Sequence, residues 1–494
     1  MDASRPDRPR AMWLLEAPAA RESLVFSLVL AALASLPFLL AAIPQMTDYP
    51  SHLAAFKVML DQGRDPFLAR YYAVDWRWTG NMGTELLIWP LSRLLGLEAA
   101  GKLIAAAIPV LTGLGIVAAE WTLRRRVSAG GILAFACIWS PSFGQGFLNF
   151  SLSLALALFA LVLWIRLEGR SWRGLLFMPI GLIVWLCHVA GWGILGVMVF
   201  GWSWSRDRSW RAFVEPWPLL LPFAPLLLGG GTTGLFGYGP NPLGFKLAIL
   251  LKALRNQSAV LDLFTVFLML AVVIRLCLRG RVDTRLGWAA LLLAGLSLVL
   301  PRHIAGGDLV DARLIPVALM LGCMAVGQAQ TPRWMLGLAA LPFVARLAVT
   351  SLAWHASGRE MDRMLLALER VPVGARIAGA VAVDKLAWPL DPLEHVTSMA
   401  AVRRSALINS LFSVPGLHMV RVIGADRNFV DPSHRLLLDP GQHPDLRGFA
   451  PLRQVDYLWY IGDEPLRNPP PGMTVLYRSG HTFMARLAKP HDAR

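Results

Sequence analysis

The chain has 494 residues, of which 55% are hydrophobic and only 16% are charged, and its mean hydropathy is +0.52. A water-soluble domain of this size could not bury so much apolar surface, so the composition excludes a soluble globular protein and indicates a multi-pass membrane protein. The formal net charge of +15 does not indicate nucleic-acid binding, because the arginines fall in short clusters between apolar runs instead of on one basic face.

The four cysteines give no sign of a metal or disulfide site. Each lies inside an apolar segment, without Cys-x-x-Cys spacing and without a histidine or acidic residue at metal-ligand spacing. They are predicted to be packing residues, and the compartment cannot be read from them. These residues are Cys137, Cys187, Cys277 and Cys323.

The first apolar run, Leu24 to Ile43, is long enough as a helix to cross a hydrocarbon core of ~30 Å. We predict an uncleaved first span and not a signal peptide, because further spans follow and no clear small-residue cleavage site precedes Gln45. The tail before it carries Arg5, Arg8, Arg10 and Arg21, which predicts a cytoplasmic N-terminus.

Residues 45–52, just past this span, combine a carboxylate, an imidazole and a proline: Asp48, His52 and Pro50. Two interpretations are open. Asp48 could cap a surface helix that begins near Pro50, which is the favoured interpretation of this segment taken alone. Alternatively, the segment belongs to a site at the membrane surface, since roughly thirty residues rich in Trp, Tyr, Arg and Asp follow before the next long apolar run.

The topology of the remaining spans follows from the arginine clusters. Thr84 to Leu97 is apolar but short and contains Pro90 and Arg93, so we predict a half-buried or interfacial helix, with a true span as the alternative. Counting it as interfacial places Arg124 to Arg126 and each later cluster in the cytoplasm. Eleven spans result, with the N-terminus inside and the C-terminus outside. The predicted spans are residues 24–44, 101–123, 128–142, 150–165, 174–189, 190–204, 214–229, 261–278, 286–301, 312–329 and 334–354.

Two domains are predicted: a membrane part, residues 1–354, with an outer loop at 45–98, and a soluble extracytoplasmic part, residues 355–494, where charges, prolines and histidines become frequent. Within the first, Leu243 to Ala259 is predicted to be a helix on the outer membrane surface. The second is predicted to be a small accessory α/β domain. Its expected elements are a helix at Glu360 to Val371, strands at Arg376 to Val383, His418 to Ile423 and Asp456 to Ile461, and a hairpin at Thr474 to Leu487.

Charged and polar groups at membrane depth are costly, so those present are functional candidates. Most of them fall on the outer side of the predicted topology, which indicates that any chemistry takes place there. Ordinary structural roles remain as alternatives: a hydrogen bond between helices for His188, a helix cap for Asn149, and a solvated loop for Asp308 to Arg313. Arg346, well inside its span, needs an anionic partner from the protein or from a lipid phosphate. The outer candidates are Asp48, His52, Glu85, Asn149, His188, Lys246, Lys252, Arg302, His303, Asp308, Asp311, Arg313 and Arg346.

This pattern resembles the GT-C membrane glycosyltransferases. The resemblance is carried by an aspartate just past the first span, a half-buried helix before the second span, an Arg-x-x-Pro element (Arg313 to Pro316) opening a late span, and a soluble outer C-terminal domain. It implies an all-α polytopic membrane fold with a C-terminal α/β domain. It also implies transfer of a hexosyl or pentosyl group from a polyprenyl-phosphate-linked donor.

The resemblance implies that Asp48 is the catalytic base or the group that orients the acceptor. The frequent paired acidic motif is missing, since Tyr49 and Pro50 follow Asp48, so a divalent metal stays open but is not supported, and no other cofactor is expected. The phosphate leaving group needs a basic outer pocket. The residues assigned to it are His52, His188, Lys246, Lys252, Arg302, His303, Arg313 and Arg346, and the other site candidates are Glu85, Asn149, Asp308 and Asp311.

The expected partners are therefore the lipid-linked donor, membrane lipid and an unidentified acceptor, in the cytoplasmic membrane and without nucleic acid. Two rival functions remain open. A transporter or lipid flippase would need titratable groups near mid-membrane across several spans, whereas most polar groups here collect at one face. A non-enzymatic envelope-assembly protein would bind a partner through its soluble tail and would not depend on one carboxylate.

Overall fold

In a computed structural model of the chain, the described residues are 16–222, 236–304, 307–328 and 330–488. Two sequence predictions fall partly outside this range: the arginines at positions 5, 8 and 10, and the second half of the predicted span 214–229. The α-helices, in chain order, are α1 Ala20–Leu33, α2 Tyr49–Asp61, α3 Pro66–Tyr71, α4 Gly83–Leu95, α5 Leu97–Arg124, α6 Ala129–Leu133, α7 Pro141–Gln145, α8 Leu148–Arg166, α9 Arg173–Cys187, α10 Val189–Arg206, α11 Arg211–Val214, α12 Pro242–Leu251, α13 Ala259–Leu278, α14 Thr284–Val299, α15 Leu314–Ala325, α16 Arg333–Leu365 and α17 Met399–Arg404.

Within the described residues, four helices are long and apolar enough to cross a membrane: α5, α8, α13 and α16. Four more apolar helices, α9, α12, α14 and α15, are shorter. Helix α13 is the clearest membrane-facing element, because Val260, Phe264, Phe267 and Leu278 are each more than half exposed. An apolar helix can leave such a face uncovered in lipid, where its backbone groups are satisfied internally. The protein is therefore a multi-pass membrane protein, although the predicted number of eleven spans is not confirmed.

Three of the predicted spans are not continuous helices in the residues that the structure describes. The described half of the predicted span 214–229 holds the end of α11 and a 3-10 turn, Trp217–Leu220. The predicted span 24–44 contains α1, which ends at Leu33, and a short 3-10 turn, Leu36–Leu39. The predicted span 128–142 breaks into the five-residue α6 and a 3-10 turn, and Ser128 caps α6 by accepting a hydrogen bond from the Gly131 N–H. Hydropathy reports how apolar a segment is, but caps and turns decide where its helices end.

The orientation in the membrane is open to a direct test. Reporter fusions near Arg125, Arg170, Arg208 and Arg281 are expected to report a cytoplasmic position, because positive residues are retained inside. Fusions near Asp48, Gly237, Asp308 and Gly441 are expected to report an outer position. A cytoplasmic signal from a fusion at Gly441 would contradict the outer placement of the C-terminal part.

The C-terminal part is built on a six-stranded mixed sheet with the order β3-β2-β6-β8-β7, in which β5 also pairs with β2. The pairs of β2 with β3, β5 and β6 are parallel, and β8 pairs antiparallel with β6 and β7. The strands predicted in this region and the predicted hairpin are confirmed to within a few residues at their ends. The strands are β1 Tyr72–Val74, β2 Arg376–Asp384, β3 Leu407–Ile408, β4 Val420–Val422, β5 Arg435–Leu438, β6 Tyr457–Ile461, β7 Thr474–Ser479 and β8 Thr482–Arg486.

The helix predicted at Glu360 to Val371 is not a separate element. Helix α16 runs without a break through residue 354, where the sequence placed the domain boundary, and a 3-10 turn, Leu366–Arg370, follows it. One helix therefore belongs to both the membrane part and the soluble part.

The outer loop is fastened directly to the soluble part. Strand β1 of the loop pairs antiparallel with β4, with Tyr72 opposite Val422. The Ser51 hydroxyl in α2 donates to the Ser410 carbonyl at 3.0 Å and accepts from the Phe412 N–H at 2.8 Å. The soluble part consequently lies over the start of α2, where Asp48 is located.

Candidate active site

Asp48 occupies the position before the first residue of α2, and its backbone N–H donates to the Gln145 carbonyl at 2.8 Å. Gly146, the residue after Gln145, has φ +101°. A Cβ at this position would lie 3.1 Å from the Asp48 Cβ. Both the positive φ and this close approach require glycine at that position. Asp48 holds the N-cap position of α2, as the cap interpretation predicted, but its side chain makes no capping hydrogen bond to the helix.

The Asp48 carboxylate instead faces a buried histidine of the soluble part. The Asp48 Oδ1 lies 3.5 Å from Nδ1 of His395, which also donates to the Thr47 carbonyl at 3.2 Å. On the opposite side of the ring, His395 Nε2 lies 3.0 Å from Oδ1 of Asp431. The carboxylate of Asp48 is thus joined through one imidazole to a second carboxylate.

Burial raises the pKa of Asp48 to about 7, against the opposing charge of His395. The pKa of His395 is raised despite its burial, because it bonds to Asp431 and faces Asp48. Asp431 has a pKa well below its usual range: burial opposes ionisation, but the hydrogen bond from His395 outweighs it. A carboxyl group with a pKa near neutrality suits proton transfer.

A second histidine completes this cluster. His434 is fully buried, and its Nδ1 lies 3.7 Å from Asp431 Oδ1. Arg435 contacts the same oxygen at 3.2 Å and also reaches Glu394 at 2.7 Å. One ligand atom each from His395, Asp431 and His434 lies within 4.8 Å of the others, so within the described ranges these three residues could hold a metal ion.

None of these partners was predicted from the sequence. His395 and Asp431 lie far along the chain from Asp48, in a domain that was expected to be accessory. The one local signal is the Asp-x-x-His spacing of Asp431 and His434, which places two metal-binding side chains three residues apart.

His52 lies beside this group but is not a phosphate-binding cation. Its ring makes an edge contact with Phe412 at 5.0 Å. Burial, together with the neighbouring His418 and His395, lowers the pKa of His52 to about 3, so the ring is neutral at ordinary pH. The charge-based reason for assigning His52 to the donor phosphate is therefore lost.

Arg313 and His188 form a second group. The Nη1 of Arg313 lies 2.9 Å from Nε2 of His188, and its Nη2 donates to the Asp308 carbonyl at 2.9 Å. The guanidinium lies 4.2 Å from the ring of Phe147, as in a cation–π contact. Its Nε is buried and has no hydrogen-bond partner among the described residues. Arg313 thus keeps an unused donor, as a phosphate ligand requires.

Arg302 and His303 lie close to this group but already have an acidic partner. Arg302 donates two hydrogen bonds to Asp308, at 2.7 and 3.0 Å, and His303 lies 3.3 Å from the same carboxylate. The Arg302 guanidinium also lies 4.7 Å from the ring of Phe245. A donor phosphate would have to compete with Asp308 for both side chains.

Lys246 and Arg346 have structural partners. Lys246 is buried against Asp311 and donates to the carbonyls of Ser297 and Leu300 at 2.7 and 2.6 Å. Its partner Asp311 is therefore an ion-pair residue and not part of a solvated loop. Lys252, which follows the last residue of α12, is exposed.

Arg346 is fully buried and forms an ion pair with Asp262 in α13. It also donates to the carbonyls of Leu254 and Trp139. The sequence left open whether its anion came from the protein or from a lipid. The structure supplies a protein carboxylate, so the reason for assigning Arg346 to the donor phosphate no longer holds.

Glu85 and Asn149 join α4 to α8. The Asn149 amide donates to the Glu85 carboxylate at 2.8 Å, while its carbonyl oxygen accepts from the N–H and the hydroxyl of Thr84. These hydrogen bonds hold the start of α4 against the start of α8.

No family of known sequences and no curated protein matches the chain. Among solved structures, the fold is similar to the crystal structure of ArnT from Cupriavidus metallidurans bound to undecaprenyl phosphate. The sequence identity is 11% and the TM-score 0.54, and the match covers 94% of this chain and 98% of the ArnT chain. This chain therefore shares the fold of that structure over nearly its whole length, which confirms the expected polytopic membrane fold without confirming the number of spans.

Proposed function

We propose that this chain is a GT-C glycosyltransferase of the inner membrane, which moves a sugar from a polyprenyl-phosphate-linked donor to a hydroxyl acceptor on the outer face. In this reaction the acceptor oxygen attacks the anomeric carbon of the sugar, and Asp48 takes the acceptor's proton. The bond to the phosphate oxygen breaks, and its electron pair leaves with the polyprenyl phosphate. The fold shared with an undecaprenyl-phosphate-bound protein supports the lipid class.

The observation that carries the proposal is the contact between Arg313 and His188. The Nδ1 of His188 accepts a hydrogen bond from the Ala190 N–H at 3.0 Å, so in the neutral ring Nε2 holds the proton. Nε2 then faces an N–H of Arg313 at 2.9 Å, which is a contact between two donors. An anionic oxygen placed beside them would accept from both and would relieve the conflict. A donor phosphate supplies such an oxygen.

The proposed base and the proposed phosphate site are connected by a short piece of chain. Asp48 is bonded to the carbonyl of Gln145, and Phe147, two residues later, lies beneath the Arg313 guanidinium. Asp48 also interacts electrostatically with Arg313. Asp48 and Arg313 are therefore close enough for Asp48 to act on the acceptor at the sugar while Arg313 binds the phosphate of the same donor.

Arg313→Ala is expected to weaken binding of undecaprenyl phosphate about 10- to 100-fold, because one charge-assisted hydrogen bond contributes ~1.5–3 kcal/mol. Arg313→Lys should restore binding only in part, since ammonium lacks the planar fork of guanidinium. The measurement is a titration of the purified full chain in detergent with undecaprenyl phosphate.

The matched control is Arg421→Ala, because Arg421 is an exposed arginine paired with Asp75 in the soluble part. Its removal should leave the affinity for undecaprenyl phosphate unchanged. Wild-type affinity in the Arg313→Ala protein would remove Arg313 from the phosphate site. A wild-type chain without measurable affinity would contradict the proposed donor class.

A further inference from the structure

The cluster beneath Asp48 contains a buried histidine whose ring nitrogens form no well-aligned hydrogen bond among the described residues. His434 has no exposed surface, and within the described residues neither ring nitrogen has a hydrogen-bond partner that meets the usual geometry. A buried polar group without a partner is costly, and an ion is one of the few agents that can satisfy it. Its Nδ1 is directed at the Asp431 carboxylate, 3.7 Å away.

We infer that His395, Asp431 and His434 form a zinc site within the soluble part, next to Asp48. Two imidazoles and one carboxylate are a usual protein ligand set for zinc, with a fourth position for water. Ligand atoms ~2.1 Å from a tetrahedral zinc ion lie about 3.4 Å apart. The 3.0 Å and 3.7 Å separations of the two histidine nitrogens from Asp431 Oδ1 fall on either side of that value.

The formal charge of the cluster also suits a divalent cation. The carboxylates of Asp48, Glu394 and Asp431 lie together, and the guanidinium of Arg435 contacts two of them, Glu394 and Asp431. Arg435 retains Glu394 as its own partner at 2.7 Å, so it can stay in place when zinc binds Asp431.

Nδ1 of His395, the nitrogen that would not bind the metal, has the hydrogen-bond partners that are usual for a metal-bound histidine. Such a ring donates its other N–H to a carbonyl or carboxylate, which fixes its orientation. Nδ1 of His395 does this toward the Thr47 carbonyl and Asp48. Zinc binding replaces the proton on Nε2, which is released to solvent, and leaves the Nδ1 proton facing Asp48. Asp431 is 15% exposed, which leaves a route for the ion.

The test is the zinc content of the purified full chain after incubation with zinc chloride and removal of unbound metal, measured by mass spectrometry. The wild type is expected to hold about one zinc ion per chain. His434→Ala is expected to lose it, and His434→Cys is expected to keep it, because a thiolate is also a zinc ligand. His443→Ala is the matched control, since His443 is an exposed histidine paired with Glu464 in the same part.

A melting measurement covers the case in which His434→Ala folds poorly. A chelator is expected to lower the melting temperature of the wild type and of His443→Ala, because zinc bound to the folded state stabilises it. A wild-type chain that retains no zinc overturns the inference, and so does a folded His434→Ala chain that retains as much zinc as the wild type. Neither result depends on sugar transfer.

Discussion

Asp48→Asn is expected to lower sugar transfer by at least ~10²-fold, the lower end of general-base contributions, without lowering the amount of folded protein. Asparagine keeps the size of the side chain and can still accept from His395, but it lacks the basic oxygen. Because the Asp48 side chain does not cap α2, its replacement removes no helix-stabilising bond. The measurement is transfer of labelled sugar from lipid-linked donors, together with a melting curve.

Asp75→Asn is the matched control for this variant. Asp75 lies in the same outer loop, but it is 62% exposed and paired with Arg421. It should transfer sugar at the wild-type rate. Equal transfer by Asp48→Asn and Asp75→Asn would rule out Asp48 as the base.

Asp262→Ala is expected to destabilise the protein by ~3–5 kcal/mol, because it leaves the Arg346 guanidinium buried without its anion. The same carboxylate accepts hydrogen bonds from the Asn256 N–H at 2.7 Å and from the Trp388 indole at 2.9 Å. The variant therefore also loosens the contact between α13 and the soluble part. The measurement is the free energy of unfolding in detergent.

Two comparisons show whether the unpaired charge is the cause. Replacing both partners, as Asp262→Ala with Arg346→Met, should recover much of the lost stability, because no buried charge remains. Asp308→Ala breaks the ion pair of Asp308 with Arg302, in which the Asp308 side chain is 47% exposed. It should lower the free energy of unfolding by less than about 1 kcal/mol. Wild-type stability in the Asp262→Ala protein would show that the pair is not a structural anchor.

The features that could be predicted from the sequence are those that depend only on residues close together in the chain. Asp48 could be found because it follows directly after an apolar run, and the hairpin Thr474–Ser479 and Thr482–Arg486 because turn residues separate two alternating segments. Strands β2 and β6 and the apolar helices follow from the same local patterns, whereas the short strands β3 and β5 were not predicted. This is why the fold class could be predicted from the sequence.

The partners of those residues could not be predicted in the same way. The contact of His395 with Thr47 joins positions 348 residues apart, and the pair of Arg346 with Asp262 joins positions 84 apart. A charge at membrane depth can be recognised from the sequence, but whether its partner is protein or ligand depends on the packing of distant helices. This is why Arg313 and Arg346 looked alike in the sequence and differ in the structure.

The most direct test of the proposed reaction measures binding and transfer on the same Asp48→Asn protein. If Asp48 is the base and Arg313 belongs to the phosphate site, this variant binds undecaprenyl phosphate with wild-type affinity and fails to transfer labelled sugar from the lipid-linked donor. The wild type does both. Transfer at the wild-type rate by Asp48→Asn, or a wild-type chain that neither binds undecaprenyl phosphate nor consumes the donor, would contradict the account.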